Sequence, residues 1–204
     1  MENHSRHSGK CLMPFNKNIY LIGYRCTGKT TIGRELAAMS DFLFLDIDKE
    51  IRAQMSMSIA SIVENHGWEK FREIEKRILF KTDKLNSHII ATGGGIITLD
   101  ENVRFMKKNG IVIWLKAPVN IIIRRMMKDP ETSGLRPSLT GRTIEDETFS
   151  VLTRRIPIYM NACDFEFDTS ELSPRKIAEN IKQKIHKTAM RRALICPGSH
   201  HNKT

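Results

Sequence analysis

The stretch NIYLIGYRCTGKTTIG, residues 18–33, constrains this chain of 204 residues more than any other. A β-branched apolar run leads into the pattern G-x-x-x-x-G-K-[ST] from Gly23 to Thr30, and a helical segment, TIGRELAAM, follows. A turn of this kind aims backbone N–H groups at one point, and the helix N-terminus behind it adds partial positive charge, so the unit is a phosphate cradle. Gly23, Cys26, Thr27, Gly28, Lys29, Thr30 and Thr31 are the nucleotide-binding candidates, with Lys29 reaching the β- and γ-phosphates and the Thr30 hydroxyl ligating Mg²⁺. Cys26 stands where such a loop usually carries a third glycine. If that position needs a positive φ, the cysteine costs about 1 kcal/mol.

A strand that feeds a helix through such a loop belongs to a parallel α/β architecture, and the rest of the chain agrees. NIYLIG (18–23), FLFLD (42–46), HIIAT (88–92), GIVIWL (110–115) and DFEFD (164–168) read as strands. Several are apolar at nearly every position, as expected for strands buried on both faces. Helical patterns fill 29–39, 67–86, 100–109, 118–128 and 143–160, and a last helix starts at Ser173 as N-cap with Pro174 in its first position. Ligands of such sheets bind beyond the carboxyl ends of the strands. The polar segment KDPETSGLRPSLTGRT (128–143) is long for a turn and reads either as a loop over a site or as a plain surface excursion.

Three further features carry chemistry. The second strand ends in LDIDKE, and period-two geometry puts Asp46 and Asp48 on one face beside the phosphate loop. One carboxylate could help hold Mg²⁺ while the other accepts hydrogen bonds from a substrate hydroxyl; the alternative is a pair of solvated acids capping a helix. The third strand ends in Gly93, Gly94 and Gly95, where a ligand could approach the backbone closely, or where a tight turn needs a positive φ. No aspartate follows that strand, which shifts Mg²⁺ binding to Thr30 and Asp46. Arg72, Arg136 and Arg155 complete the set, because guanidinium groups suit a substrate carboxylate and the charge that develops in phosphoryl transfer.

Composition excludes other classes. No apolar run reaches the roughly 20 residues that span a bilayer. MENHSRHSGKCLMPFN lacks the apolar core of a signal peptide, so export is not expected and the chain reads as cytoplasmic. Cys11, Cys26, Cys163 and Cys196 form no C-x-x-C pair and read as free thiols. The net charge of +10 suggests nucleic acid only until it is located. Much of it sits near the end, where Lys182, Lys184, Lys187, Arg191, Arg192 and Lys203 stand without an acid. A solvated tail is the simpler reading, and nucleic acid is not the expected partner.

The ordered set GYRCTGKTT, LDIDKEI, EKFREIE, TGGGI, RPSLTG and RRIPIY resembles the shikimate kinase family, a branch of the P-loop kinases, over roughly residues 18 to 187. The resemblance implies a three-layer α/β/α fold with a five-stranded parallel sheet in the order 2-3-1-4-5, a substrate-binding helical region and a lid at about 128–143. Residues 1–17 and 188–204 are then tails. It implies ATP and shikimate as substrates, Mg²⁺ as cofactor, and a monomer. Asp48 would bind and orient the attacking hydroxyl, Arg72 and Arg155 would pair with the substrate carboxylate, and Gly94 would add a backbone contact on its hydroxyl side, with Gly93 and Gly95 beside it in the substrate site. Lys29 and Arg136 would act on the phosphates, while Arg125 and Pro174 are similar in placement to residues that flank adenine. The alternatives are another small-molecule P-loop kinase, such as a gluconate or nucleotide kinase, and a nucleotide-binding regulator without turnover.

Overall fold

A computed structural model describes residues 16–128 and 143–195. Residues 1–15 of the expected tail 1–17, most of the expected lid with Arg136, and residues 196–204 of the expected tail 188–204 lie outside the described residues. Five strands form one sheet: β1 (Asn18–Ile22), β2 (Leu43–Asp46), β3 (His88–Ala91), β4 (Gly110–Lys116) and β5 (Phe165–Asp168). Their order is β2-β3-β1-β4-β5, and every pairing is parallel. The helices between them are α1 (Lys29–Ala38), α2 (Ile47–Met55), α3 (Ile59–Phe80), α4 (Asp100–Asn109), α5 (Val119–Lys128), α6 (Ile144–Ala162) and α7 (Pro174–Ile195). The sheet order and the strands agree with the reading of the sequence.

Period-two alternation along β1 splits the core into two layers. Tyr20 and Ile22 face one side, where Ile90, Val112 and Trp114 meet Ile47, Ile51, Phe71, Ile74 and Tyr159 from α2, α3 and α6. Ile19 and Leu21 face the other, where Ile89, Ile113 and Leu115 meet Ile32 and Leu36 of α1 and Ile177, Ala178, Ile181 and Ile185 of α7. Each of these large side chains gives about 1.5–3 kcal/mol on full burial, which is why β1 reads as an unbroken apolar run. α1 lies close to the sheet because residue 33 is glycine: a Cβ there would come within 2.6 Å of the Phe44 ring. No helix among the described residues is long and apolar enough to cross a membrane.

Three local readings change. β2 stops at Asp46, and α2, a helix of its own, begins at Ile47. The expected helix at 67–86 is the second arm of α3, which bends at Gly67 (φ 78°, ψ 168°) and gives way to a 3-10 turn over Lys81–Lys84. Its first arm opens with Ser58, whose side chain accepts from the Ser61 N–H. The last helix starts at Pro174 as expected and runs on to Ile195.

Candidate active site

The phosphate loop hangs from the carboxyl end of the central strand. Gly23 and Gly28 have φ values of 143° and 90°, and Cys26 sits in the left-handed region at φ 58°. The position therefore does require a positive φ, and the cysteine adopts it. Lys29, buried at the mouth of α1, donates from Nζ to the Gly23 and Tyr24 carbonyls at 2.8 and 2.7 Å. The Thr27 hydroxyl donates to the Tyr24 carbonyl at 2.8 Å. Arg125 braces the loop from α5: its Nη1 donates to the Cys26 carbonyl at 3.2 Å and to Thr169 Oγ1 at 3.1 Å, and its Nη2 donates to the Thr169 carbonyl. Arg124 beside it is exposed, so the two neighbouring arginines are distinguished by the fold. Thr169 precedes the segment that leads to Pro174.

Behind the loop, the Thr30 hydroxyl donates to Asp46 Oδ2 at 2.7 Å, and Asp46 Oδ1 accepts from the Lys49 N–H at 3.2 Å. Asp46 is thus both the N-cap of α2 and the partner of the loop threonine, so the capping role and the site-facing role hold together. A hydroxyl and a carboxylate side by side are hard oxygen donors of the kind Mg²⁺ takes alongside water and phosphate. These two residues fit the ion.

Beside the loop lies a cleft lined by Tyr24, Arg25, Asp48, Ile59, Trp68, Phe71, Arg72, Glu75, Gly93, Gly94, Gly95 and Arg155. It gathers Asp48, Arg72, Arg155 and the glycine triplet, four sequence-distant groups, against two residues of the phosphate loop. Asp48 arrives by a different route from the one expected. It is not on the strand face with Asp46 but in the first turn of α2, and that turn carries it into the cleft. The triplet also has another reason than a tight turn. None of its three glycines has a positive φ. A Cβ on Gly93 would fall on Glu75 Oε1, and one on Gly95 would fall on the Arg72 guanidinium. A Cβ on Gly94 would meet backbone atoms at an ordinary 3.4 Å.

Two carboxylates escaped the sequence reading. Glu75, fully buried, forms an ion pair with Arg72 one helical turn before it, and its Oε1 has no hydrogen-bond partner among the described residues. Burial pushes the Glu75 carboxyl above its ordinary value, against the opposing pull of Arg72. Glu147, at the start of α6, pairs with Arg25. Further along α6, Arg155 Nη1 donates to the Gly94 carbonyl at 3.2 Å and the Tyr159 hydroxyl donates to the same oxygen at 2.5 Å. Burial lowers the Arg155 pKa and raises that of Tyr159. The R-x-x-E spacing of Arg72 and Glu75 was the available signal for the first pair; Glu147 had none, since its partner lies 122 residues away. Chemically, the cleft offers guanidinium groups for an anion and a carboxylate for a hydroxyl, and it borders the phosphate loop at Tyr24 and Arg25.

Comparison with known proteins bears on this arrangement. The shikimate kinase family model matches residues 25–186. Shikimate kinase 2 of Photorhabdus laumondii is 39% identical over 168 residues, covering 82% of this chain and 95% of its own. The chain belongs to the shikimate kinase family. Another shikimate kinase, from Caldicellulosiruptor bescii, is 39% identical over 165 residues, covering 81% of this chain and 93% of the relative. Among solved structures, a shikimate kinase from Acinetobacter baumannii in complex with shikimate superposes with a TM-score of 0.79 at 34% identity, covering 84% of this chain and 94% of that one. The shikimate kinase family motifs seen in the sequence are, within the described residues, the motifs that line the cradle and the cleft.

Proposed function

We propose that this protein transfers the γ-phosphate of ATP to a hydroxyl of shikimate, yielding shikimate 3-phosphate and ADP. The observation that carries the reading is the cleft itself, which Asp48 and two arginines suited to an anion line together with residues of the phosphate loop. ATP binds with its phosphates in the loop from Gly23 to Thr31, and Lys29 exchanges its hold on the loop carbonyls for the phosphate oxygens. Thr30 and Asp46 hold Mg²⁺, which when bound neutralises phosphate charge. Arg125 and Pro174 mark the adenine side. Arg72 and Arg155 pair with the shikimate carboxylate, and Gly93, Gly94 and Gly95 let the ring lie against the backbone. Asp48 accepts the hydrogen bond of the attacking hydroxyl, orients it and takes its proton. Arg136 belongs to the same set by resemblance and lies outside the described residues. Every residue named comes from one chain, and we read the active unit as a monomer.

The test is ADP release from Mg-ATP with shikimate as the varied acceptor. Asp48→Ala is expected to lower kcat by about 10²- to 10⁴-fold, the span a positioned proton acceptor supplies. ATP affinity, measured by calorimetry, stays within about threefold, because Asp48 serves the acceptor hydroxyl and not the nucleotide phosphates. Intact turnover in that variant, or no turnover of shikimate by the parent protein, overturns the assignment.

A further inference from the structure

Arg25 is the third position of the phosphate loop, yet it lines the acceptor cleft together with Arg72 and Arg155. Its guanidinium is gripped from one side only. Nη2 pairs with Glu147 Oε1 and donates to Tyr24 Oη at 3.2 Å, Nε reaches the same hydroxyl at 3.3 Å, and the group lies 5.4 Å from the Tyr24 ring centroid. Nη1 has no protein hydrogen-bond partner among the described residues. Arg72 shows the same pattern: Nη1 is committed to Glu75, and Nη2 has no protein hydrogen-bond partner among the described residues. In both cases a buried carboxylate fixes one end of a planar fork and leaves donors on the other end.

Cohesion does not require the Arg25–Glu147 pair. Tyr24 already packs with Ile122, Met126, Val151 and Leu152, so an apolar cluster joins the loop to α5 and α6. A buried ion pair is often no more stabilising than apolar groups of similar size. The Glu147 side chain is 3% exposed and that of Arg25 is 12%. Arg25 lines the cleft and Glu147 does not.

We propose that Arg25 is a specificity-determining contact for the anionic acceptor, and that Glu147 is the positioning residue that holds it. α6 then sets both walls of the acceptor site, through Glu147 on the phosphate loop and through Arg155 and Tyr159 on Gly94. The proposal rests on the shikimate kinase reading above, and wild-type turnover of shikimate tests that reading separately.

The experiment is steady-state ADP release, varying shikimate at saturating ATP and ATP at saturating shikimate. It compares wild type, Arg25→Lys, Glu147→Gln and the charge-neutral double variant Arg25→Met with Glu147→Gln. Losing the fork is expected to raise the shikimate KM about tenfold or more in the double variant, as for loss of a charged hydrogen bond, with the ATP KM unchanged within about twofold. Glu147→Gln, which keeps the guanidinium but loosens it, falls between wild type and the double variant. An unchanged shikimate KM in the double variant, or an equal rise in both KM values, overturns the proposal. Should the double variant fail to fold, Arg25→Lys decides: it keeps the charge and the ion pair, so a normal shikimate KM overturns the proposal and a raised one supports it.

Discussion

Cys26 holds a left-handed conformation at φ 58° that a glycine would hold without cost. The sequence alone could say only that the cysteine would matter if the position demanded a positive φ. Because the strain belongs to the fold, its relief belongs to stability more than to nucleotide affinity. Cys26→Gly removes about 1 kcal/mol of strain and returns roughly half of it through the greater freedom of glycine in the unfolded chain. A rise in Tm of about 1–2 °C is expected for a domain of this size, with the ATP KM unchanged within about twofold. Cys26→Val, whose branched Cβ tolerates this region poorly, is expected to lower Tm. Thermal unfolding of the two variants in parallel checks the order, and a more stable valine variant would contradict it.

The turn after β3 shows how one element serves another. Gly93 and Gly95 are glycines because Glu75 and Arg72, side by side on α3, occupy the space their Cβ atoms would fill, while Gly94 has ordinary room. Gly93→Ala and Gly95→Ala are expected to raise the shikimate KM about tenfold or more by displacing that ion pair, an overpacking effect. Gly94→Ala is expected to stay within a few-fold, and a series of three equal KM values would refute this account. The same turn marks the limit of what the sequence disclosed. The five strands were legible because burial on both faces leaves an unbroken apolar run, and α4 was legible over the residues it occupies. α2 was not, because LDIDKE satisfies strand alternation until Asp46 turns its carboxylate onto the Lys49 N–H and starts a helix. Asp48, Arg72 and Arg155 were legible as candidates through family motifs, and all three line the cleft. Glu75 and Glu147 were not, because an acid in a helical pattern reads as solvated until the arginine that buries it is seen in space.

Whole-molecule stability inherits a pH dependence from Glu75. Burial raises its folded pKa above the ordinary 4.5, so the folded protein holds a proton that the unfolded chain releases first. The Glu75 contribution to stability is therefore fully present below that value and is lost as pH rises through the folded pKa. Glu75→Gln removes the titration. Denaturant unfolding of both proteins from about pH 4 to about pH 8 should show wild type losing stability relative to the variant as pH rises. Parallel profiles would contradict the sign. At the same scale, β1 lies at the centre of the sheet, pairing Ile19 with Ile89 on one side and Asn18 with Gly110 on the other. β1, synthesised before both of its partners, must therefore wait for β3 and then β4 to leave the ribosome. Long-range parallel pairing of this kind is slow to form. The phosphate loop hangs from the end of that waiting strand, so a nascent chain ending before β4 carries the complete loop sequence without the sheet that shapes it.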